Sequence, residues 1–176
     1  QSGSSSVLGR MNRNYTREEY LEKIAMIRRK LPLCALSTDI ITGFPDETDA
    51  EHQETLSLLR AVRYDYAFTF IYSERPNTPA AKHFADHVPA EVKQRRLEEI
   101  IAVQRPISEM IYRQSIGSTE EVLVEGESKR EASVWMGRTD TNRVVLFPRG
   151  GVQAGDFVRV KVETANSATL FGSLVS

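Results

Sequence analysis

STDIITGFPDET, residues 37–48, sets how the chain on either side of it is read. Asp39, Ile40 and Ile41 open as an apolar strand, Gly43 breaks it, and Pro45 bends the chain. Glu47, Thr48 and Asp49 then stand at the head of a helix. Together with the residues before it, Cys34–Ile41 is unbroken rather than alternating, the pattern of a parallel strand covered on both faces. On that reading Asp39 is buried by position and needs a partner, and Cys34 is a small buried hydrophobe.

Upstream, Thr16-Arg17-Glu18-Glu19 spells a capping box, in which the Thr hydroxyl takes the N3 amide and Glu19 reaches back. Tyr20, Leu21, Ile24 and Ile27 recur at helical spacing to about Lys30, and Leu31-Pro32 ends that helix. Before it, residues 1–16 read as a Gly/Ser turn that does not look like a natural start. Downstream, Thr55, Leu56, Leu59 and Val62 share one face of a helix running from Thr48/Asp49 to about Arg63. Tyr66–Tyr72 is an aromatic-rich strand. Residues 73–87 form a polar loop with two prolines, too long for a simple connection. Pro89 suits the first position of a helix over 89–115, whose apolar face carries Leu97, Ile100, Ile101, Ile107 and Ile111. Pro106 should kink it.

Helix, strand, helix, strand is βα-type repetition and implies a parallel α/β sheet or barrel. After Gly117 the pattern changes to five short strands separated by turn signals, spaced like a small all-β barrel. The expected domains are therefore 1–117, α/β with a long linking helix, and 118–176, a five-stranded barrel. Two parallel strands cannot stand alone, because their edges are open. The first module is expected to be the tail of a longer barrel.

Composition narrows the function classes. The net charge is −1, with 40% hydrophobic and 27% charged residues, an ordinary globular balance. Residues 1–30 hold seven Lys/Arg against three acids, which a solvated helix face explains. Residues 118–176 hold seven Lys/Arg against eight Asp/Glu, so charge alone gives little support for a nucleic-acid partner there. No apolar run approaches the roughly 18 residues that span a bilayer, no signal peptide opens the chain, and a cytoplasmic protein is expected. One cysteine excludes a disulfide framework or a cysteine-rich metal site built by this chain alone. His52, His83 and His87 have no metal spacing and read as structural or solvent-exposed.

Four blocks carry a resemblance. QSGSSSVLGRMNRNYT (1–16), STDIITGFPDET (37–48), YSERPNTPAA (72–81) and the terminal strands with GRTDTNRVV (137–145) and GDFVRVKV (155–162) resemble, in this order, the methylthiotransferase family of radical S-adenosylmethionine (SAM) enzymes. The terminal strands are similar to a TRAM domain, an RNA-binding barrel. STDII followed by YSERP-x-T looks like the MiaB-like tRNA branch, which adds a methylthio group to isopentenylated adenosine beside the anticodon. A second tRNA branch acts on threonylcarbamoyl-adenosine and remains an alternative; a third modifies a ribosomal protein, and the QSGS opening argues against it. A non-catalytic RNA-binding module is the alternative of another class.

The resemblance implies a partial radical-SAM barrel followed by a TRAM barrel, in a transferase whose full-length form carries two 4Fe-4S clusters. The family's cluster cysteines are absent from this sequence, and Cys34 matches none of them. The chain alone is thus expected to be inactive and to need the N-terminal half of the same enzyme. What it would supply is SAM seating and contact with the tRNA anticodon stem-loop. For SAM the resemblance implies Gln1 and Ser2 at the ribose or amino-acid portion, with Gly3 letting the backbone approach. Asp39 is either a site residue or a structural hydrogen-bonder, and Gly43 permits close approach of the adenine. Glu47 serves the site or the following helix N-terminus. Arg75 is suited to a carboxylate or a phosphate through its forked donors, or to a plain salt bridge. For RNA, Lys129, Arg130, Arg138, Asn142 and Arg143 cluster in or beside loops, and Trp135 and Phe147 offer either stacking surface or core. No catalytic side chain and no metal ligand is assigned to this portion.

Overall fold

The computed structural model describes residues 1–129 and 131–175. The chain forms two compact units, Gln1–Arg105 and Pro106–Ser176. The division falls inside one long helix, at Pro106, whose ring removes a backbone donor there.

The first unit begins with a short helix that the Gly/Ser-turn reading missed, α1 (Ser5–Arg10). It continues as α2 (Arg17–Lys30), β1 (Ser37–Thr42), α3 (Asp49–Val62), β2 (Tyr66–Ile71), α4 (Pro79–His83) and the start of α5 (Ala90–Arg113). Both long helices before β2 begin with complete capping boxes. Thr16 and Glu19 form the first, and Thr48 and Glu51 form the second. Each satisfies amides that the helix leaves unpaired at its start. The 73–87 loop is partly ordered by α4, which Thr78 caps and Pro79 opens.

β1 and β2 pair in parallel, Ser37 opposite Tyr66 through Thr42 opposite Ile71. Ile40 and Ala67 face a core made with Ile24 of α2, Leu56, Leu59 and Val62 of α3, and Ile100 of α5. The opposite face carries Ser37, Asp39, Ile41, Tyr66, Phe68 and Phe70, and its three aromatics are exposed. Coverage on both faces is thus corrected: helices cover one face only, because the strand begins at Ser37, and from there exposed and covered positions alternate. Asp39 lies on the open face and is exposed, not buried. Cys34 is exposed as well, in a turn where its amide donates to the Leu31 carbonyl at 3.1 Å.

The second unit is a closed five-stranded barrel, as the strand spacing predicts. Its strands are β3 (Thr119–Glu127), β4 (Val134–Arg138), β5 (Val144–Pro148), β6 (Phe157–Ala165) and β7 (Thr169–Leu174), in the order β3-β4-β5-β7-β6. β5 and β7 run parallel; the other pairs are antiparallel. Closure removes the open edges. Inward positions of alternating strands, Val122, Val124, Val145, Val160, Val162 and Leu170, fill the interior with Trp135, Phe147 and Tyr112 from the end of α5. Trp135 and Phe147 are therefore core and not a stacking surface.

Candidate functional site

In the first unit a cavity of about 630 Å³ is lined by residues at the ends of β1 and β2 and in the loop that follows. Three of the five residues expected at a cofactor line it: Gln1, Asp39 and Arg75. Gln1 is held beside β1, since its carbonyl accepts the Ile41 amide at 3.0 Å and its side-chain oxygen accepts the Tyr15 hydroxyl at 3.1 Å. Asp39 points from the exposed face of β1, between Gln1 and the aromatic row of β2. Arg75 makes no salt bridge among the described residues, so its guanidinium is not committed to the protein. Only its backbone is anchored, the carbonyl accepting the Thr78 hydroxyl at 2.9 Å.

The other two expected cofactor residues lie elsewhere. The Ser2 side chain is buried against α3, its hydroxyl 3.2 Å from that of Thr55 and accepting the Ser4 amide. Neighbouring Gly3 is close to α3 as well: a Cβ there would sit 2.5 Å from the Glu54 carbonyl oxygen. The Gly43 amide donates to Glu47 at 2.7 Å, and its φ of +70° is a conformation side chains rarely adopt. A Cβ at Gly43 would sit 2.4 Å from Cγ of Lys93. The close approach that glycine allows at these two positions is to the protein's own helices. Glu47 is likewise structural. It is buried, accepts the Gly43 amide, and pairs with Arg96 of α5 at 3.1 Å. The α3 N-terminus is served by Thr48 and Glu51 instead.

Arg13 completes the cavity and was missed in the sequence, where it counted only as part of a basic helix face. It follows α1, is exposed, and has no ion-pair partner among the described residues. Phe70 and Ile41 form an apolar wall, and Tyr72 lines the wall beside them. Burial pushes the Tyr72 hydroxyl pKa up, with Glu74 and Asp86 adding to the shift. Its ring packs edge-on against Phe44 at 5.0 Å and lies under the Lys93 ammonium. The cavity thus offers two guanidinium groups to an anionic group, a carboxylate to an ammonium or hydroxyl donor, and an apolar wall to a ring.

In the barrel the expected RNA residues fall at the β4–β5 turn and the loop before β4. Arg138 is occupied: its Nε donates to both Glu125 oxygens at 3.1 and 3.3 Å, and its Nη1 donates to Asn142. Arg143 is also held, donating to the Ser115 hydroxyl at 2.8 Å with its guanidinium over the Tyr112 ring. Asn142 is exposed in the turn, with a left-handed φ of 61°. Lys129 is exposed in the loop before β4, and Arg130 lies outside the described residues. His52 is buried and structural, its Nε2 2.8 Å from a Glu99 oxygen. Among the described residues no group of three His, Cys, Asp or Glu could hold a metal ion. No helix among them is long and apolar enough to cross a membrane.

Comparison with known proteins bears out the resemblance carried by the motifs. Residues 113–175 match the TRAM domain. The chain is 63% identical over 173 residues to the tRNA-2-methylthio-N(6)-dimethylallyladenosine synthase of Chloroherpeton thalassium, covering 98% of this chain and 38% of that protein. Identity to the enzyme of the same name from Chlorobium phaeobacteroides is 55% over 173 residues, 98% of this chain and 39% of that protein. For the one from Bacteroides fragilis it is 55% over 175 residues, 99% and 38%. Nearly the whole chain is therefore similar to a segment of these tRNA methylthiotransferases, and it spans a little over a third of their length.

Proposed function

We propose that this chain is the SAM-seating and tRNA-holding portion of a tRNA-2-methylthio-N(6)-dimethylallyladenosine synthase, working in the cytoplasm. The observation that carries the reading is 63% identity along 98% of the chain to a protein of that name. The first unit is read as the last βα units of a radical-SAM barrel, whose exposed aromatic sheet face would line the interior.

The cavity residues fit SAM by their chemistry. Arg75 and Arg13 suit its carboxylate, Asp39 its ammonium or ribose hydroxyls, and Phe70 with Ile41 its adenine. When bound, SAM supplies the methyl group and the radical precursor that the family's chemistry uses. This chain's residues bind and orient it, and Phe70 with Ile41 gives the adenine an apolar surface that displaces water when the ring is bound. Gln1 holds the first segment against β1 so that the cavity wall is fixed. The residues present do not fit an iron–sulfur cluster: the one cysteine, Cys34, sits alone in an exposed turn. The two 4Fe-4S clusters are assigned to the rest of the enzyme.

For RNA, Lys129, Arg130, Arg138, Asn142 and Arg143 remain the residues proposed from the sequence, with the barrel meeting the anticodon stem-loop. The test is the full-length protein with SAM in equilibrium binding. Loss of SAM affinity in Arg75→Ala and Asp39→Ala supports the reading, and unchanged affinity in both refutes the cavity assignment.

A further inference from the structure

The outer surface of the barrel carries one feature that neither the motifs nor the turn residues explain. Phe157 opens β6 with 69% of its surface exposed, although it lies within a closed barrel. Its register partner is Leu123 of β3, itself 37% exposed, and on the other side of Leu123 lies Arg138 of β4. Two residues on from Phe157, on the same face, is exposed Arg159, opposite Glu121. Arg159 has no ion pair or side-chain hydrogen bond among the described residues, whereas Arg138 and Arg143 are held by the barrel itself. A Phe with most of its surface in water costs hydration free energy, and Phe157 adds nothing to the barrel core.

We infer that Phe157, flanked by Leu123 and Arg159 on the outer face of β6 and β3, is a stacking platform for an unpaired base of the bound RNA. The inference rests on the tRNA-binding reading above and adds an aromatic contact on β6, across Leu123 of β3 from Arg138 at the β4–β5 turn. The occupant is single-stranded RNA for a charge reason. Glu121 and Glu125 share this face, so phosphate neutralisation cannot dominate, and the chain's net charge of −1 agrees. Base stacking needs no net positive charge, because every base presents a π face to an aromatic ring. Arg159 then adds one phosphate contact or a cation–π contact at the edge of the platform.

The test measures binding of a tRNA anticodon stem-loop RNA to the intact protein by fluorescence anisotropy over a salt series. Phe157→Ala should weaken binding by roughly five- to hundredfold, Phe157→Trp should retain it, and Phe157→Leu should not rescue it. Arg159→Ala should lower the slope of log affinity against log salt by about one. Thermal melts should leave all four variants folded, since neither side chain enters the core. If wild type binds and Phe157→Ala binds equally well, the platform is wrong while the tRNA reading stands. Full rescue by Leu also overturns it, marking an apolar cover for a protein surface. Failure of the wild type to bind the RNA at all overturns both.

Discussion

The Arg96 guanidinium, on α5, reaches the carboxylate of Glu47 at 3.1 Å and the Glu47 carbonyl at 2.8 Å, with both side chains almost wholly buried. Glu47 in turn holds the Gly43 amide, and Arg96 also meets Asp49 at 2.9 Å. The pair ties the turn after β1 to α5, and so fixes where the strand end and its cavity wall stand. Removing one partner leaves an uncompensated buried charge. Arg96→Ala should therefore destabilise the first unit by about 3–5 kcal/mol, read as a lowered urea midpoint. The double replacement Arg96→Met with Glu47→Gln should recover part of that loss.

Gly43 occupies a left-handed φ with Lys93 packed over it. Gly43→Ala combines a conformational penalty with a clash against the Lys93 stem. The expected loss is at least about 1 kcal/mol, with Gly9→Ala, where nothing lies within 4 Å of the added methyl, as the mild control. Paired denaturation curves check it.

The Glu51 carboxyl is pushed up by burial, but the Arg10 fork at 2.9 and 3.0 Å, the Thr48 amide and the Ser6 hydroxyl outweigh that and hold its pKa lowered, at about 2. A depressed folded-state pKa stabilises above the unfolded value, and that stability fades as pH falls from about 4.5 toward 2. Because Glu51 is partly solvated, the effect should be on the order of 1 kcal/mol. Glu51→Gln should lower the unfolding midpoint at pH 7 and converge with wild type only as pH falls through about 2.

Ser2 and Arg75 separate structure from binding. Arg75→Ala should weaken SAM binding by the full-length protein about tenfold, one charged hydrogen bond, without shifting its melting temperature. Ser2→Ala should do the reverse, costing about 1 kcal/mol of stability with SAM affinity within about twofold. Calorimetry and thermal melts on the two variants distinguish these outcomes.

Much of this fold is readable from sequence because its signals are local. Thr16 with Glu19 announces one helix, and the β-strand turns after Gly117 announce a barrel. Thr48 and Asp49 read as the head of the second helix, but the capping partner Glu51 does not stand out, since Glu47 reads as the acid that serves that helix N-terminus or the site. Which polar group faces a cavity depends on contacts between distant segments. Ser2 meets Thr55 and Glu47 meets Arg96, and no short-range pattern records either. Asp39 was misplaced for another reason: Cys34–Leu36 lie before the strand, and counting them with it hid the alternation of exposed Ser37 and Asp39 with covered Ile40 and Thr42. Arg13 and Phe157 lie inside quoted blocks but do not stand out there, since an exposed arginine or a strand-opening phenylalanine is ordinary until its surroundings are known.

On the proposed function, this chain is part of an enzyme that would add a methylthio group to isopentenylated adenosine in tRNA. Nucleoside mass spectrometry of tRNA from cells lacking the gene, and from cells complemented with the full-length gene, tests it most directly. The deletion should leave isopentenylated adenosine without its methylthio group, and full-length complementation should restore it while Arg75→Ala restores it poorly. Methylthiolated isopentenyl-adenosine at undiminished levels in the deletion strain would contradict it.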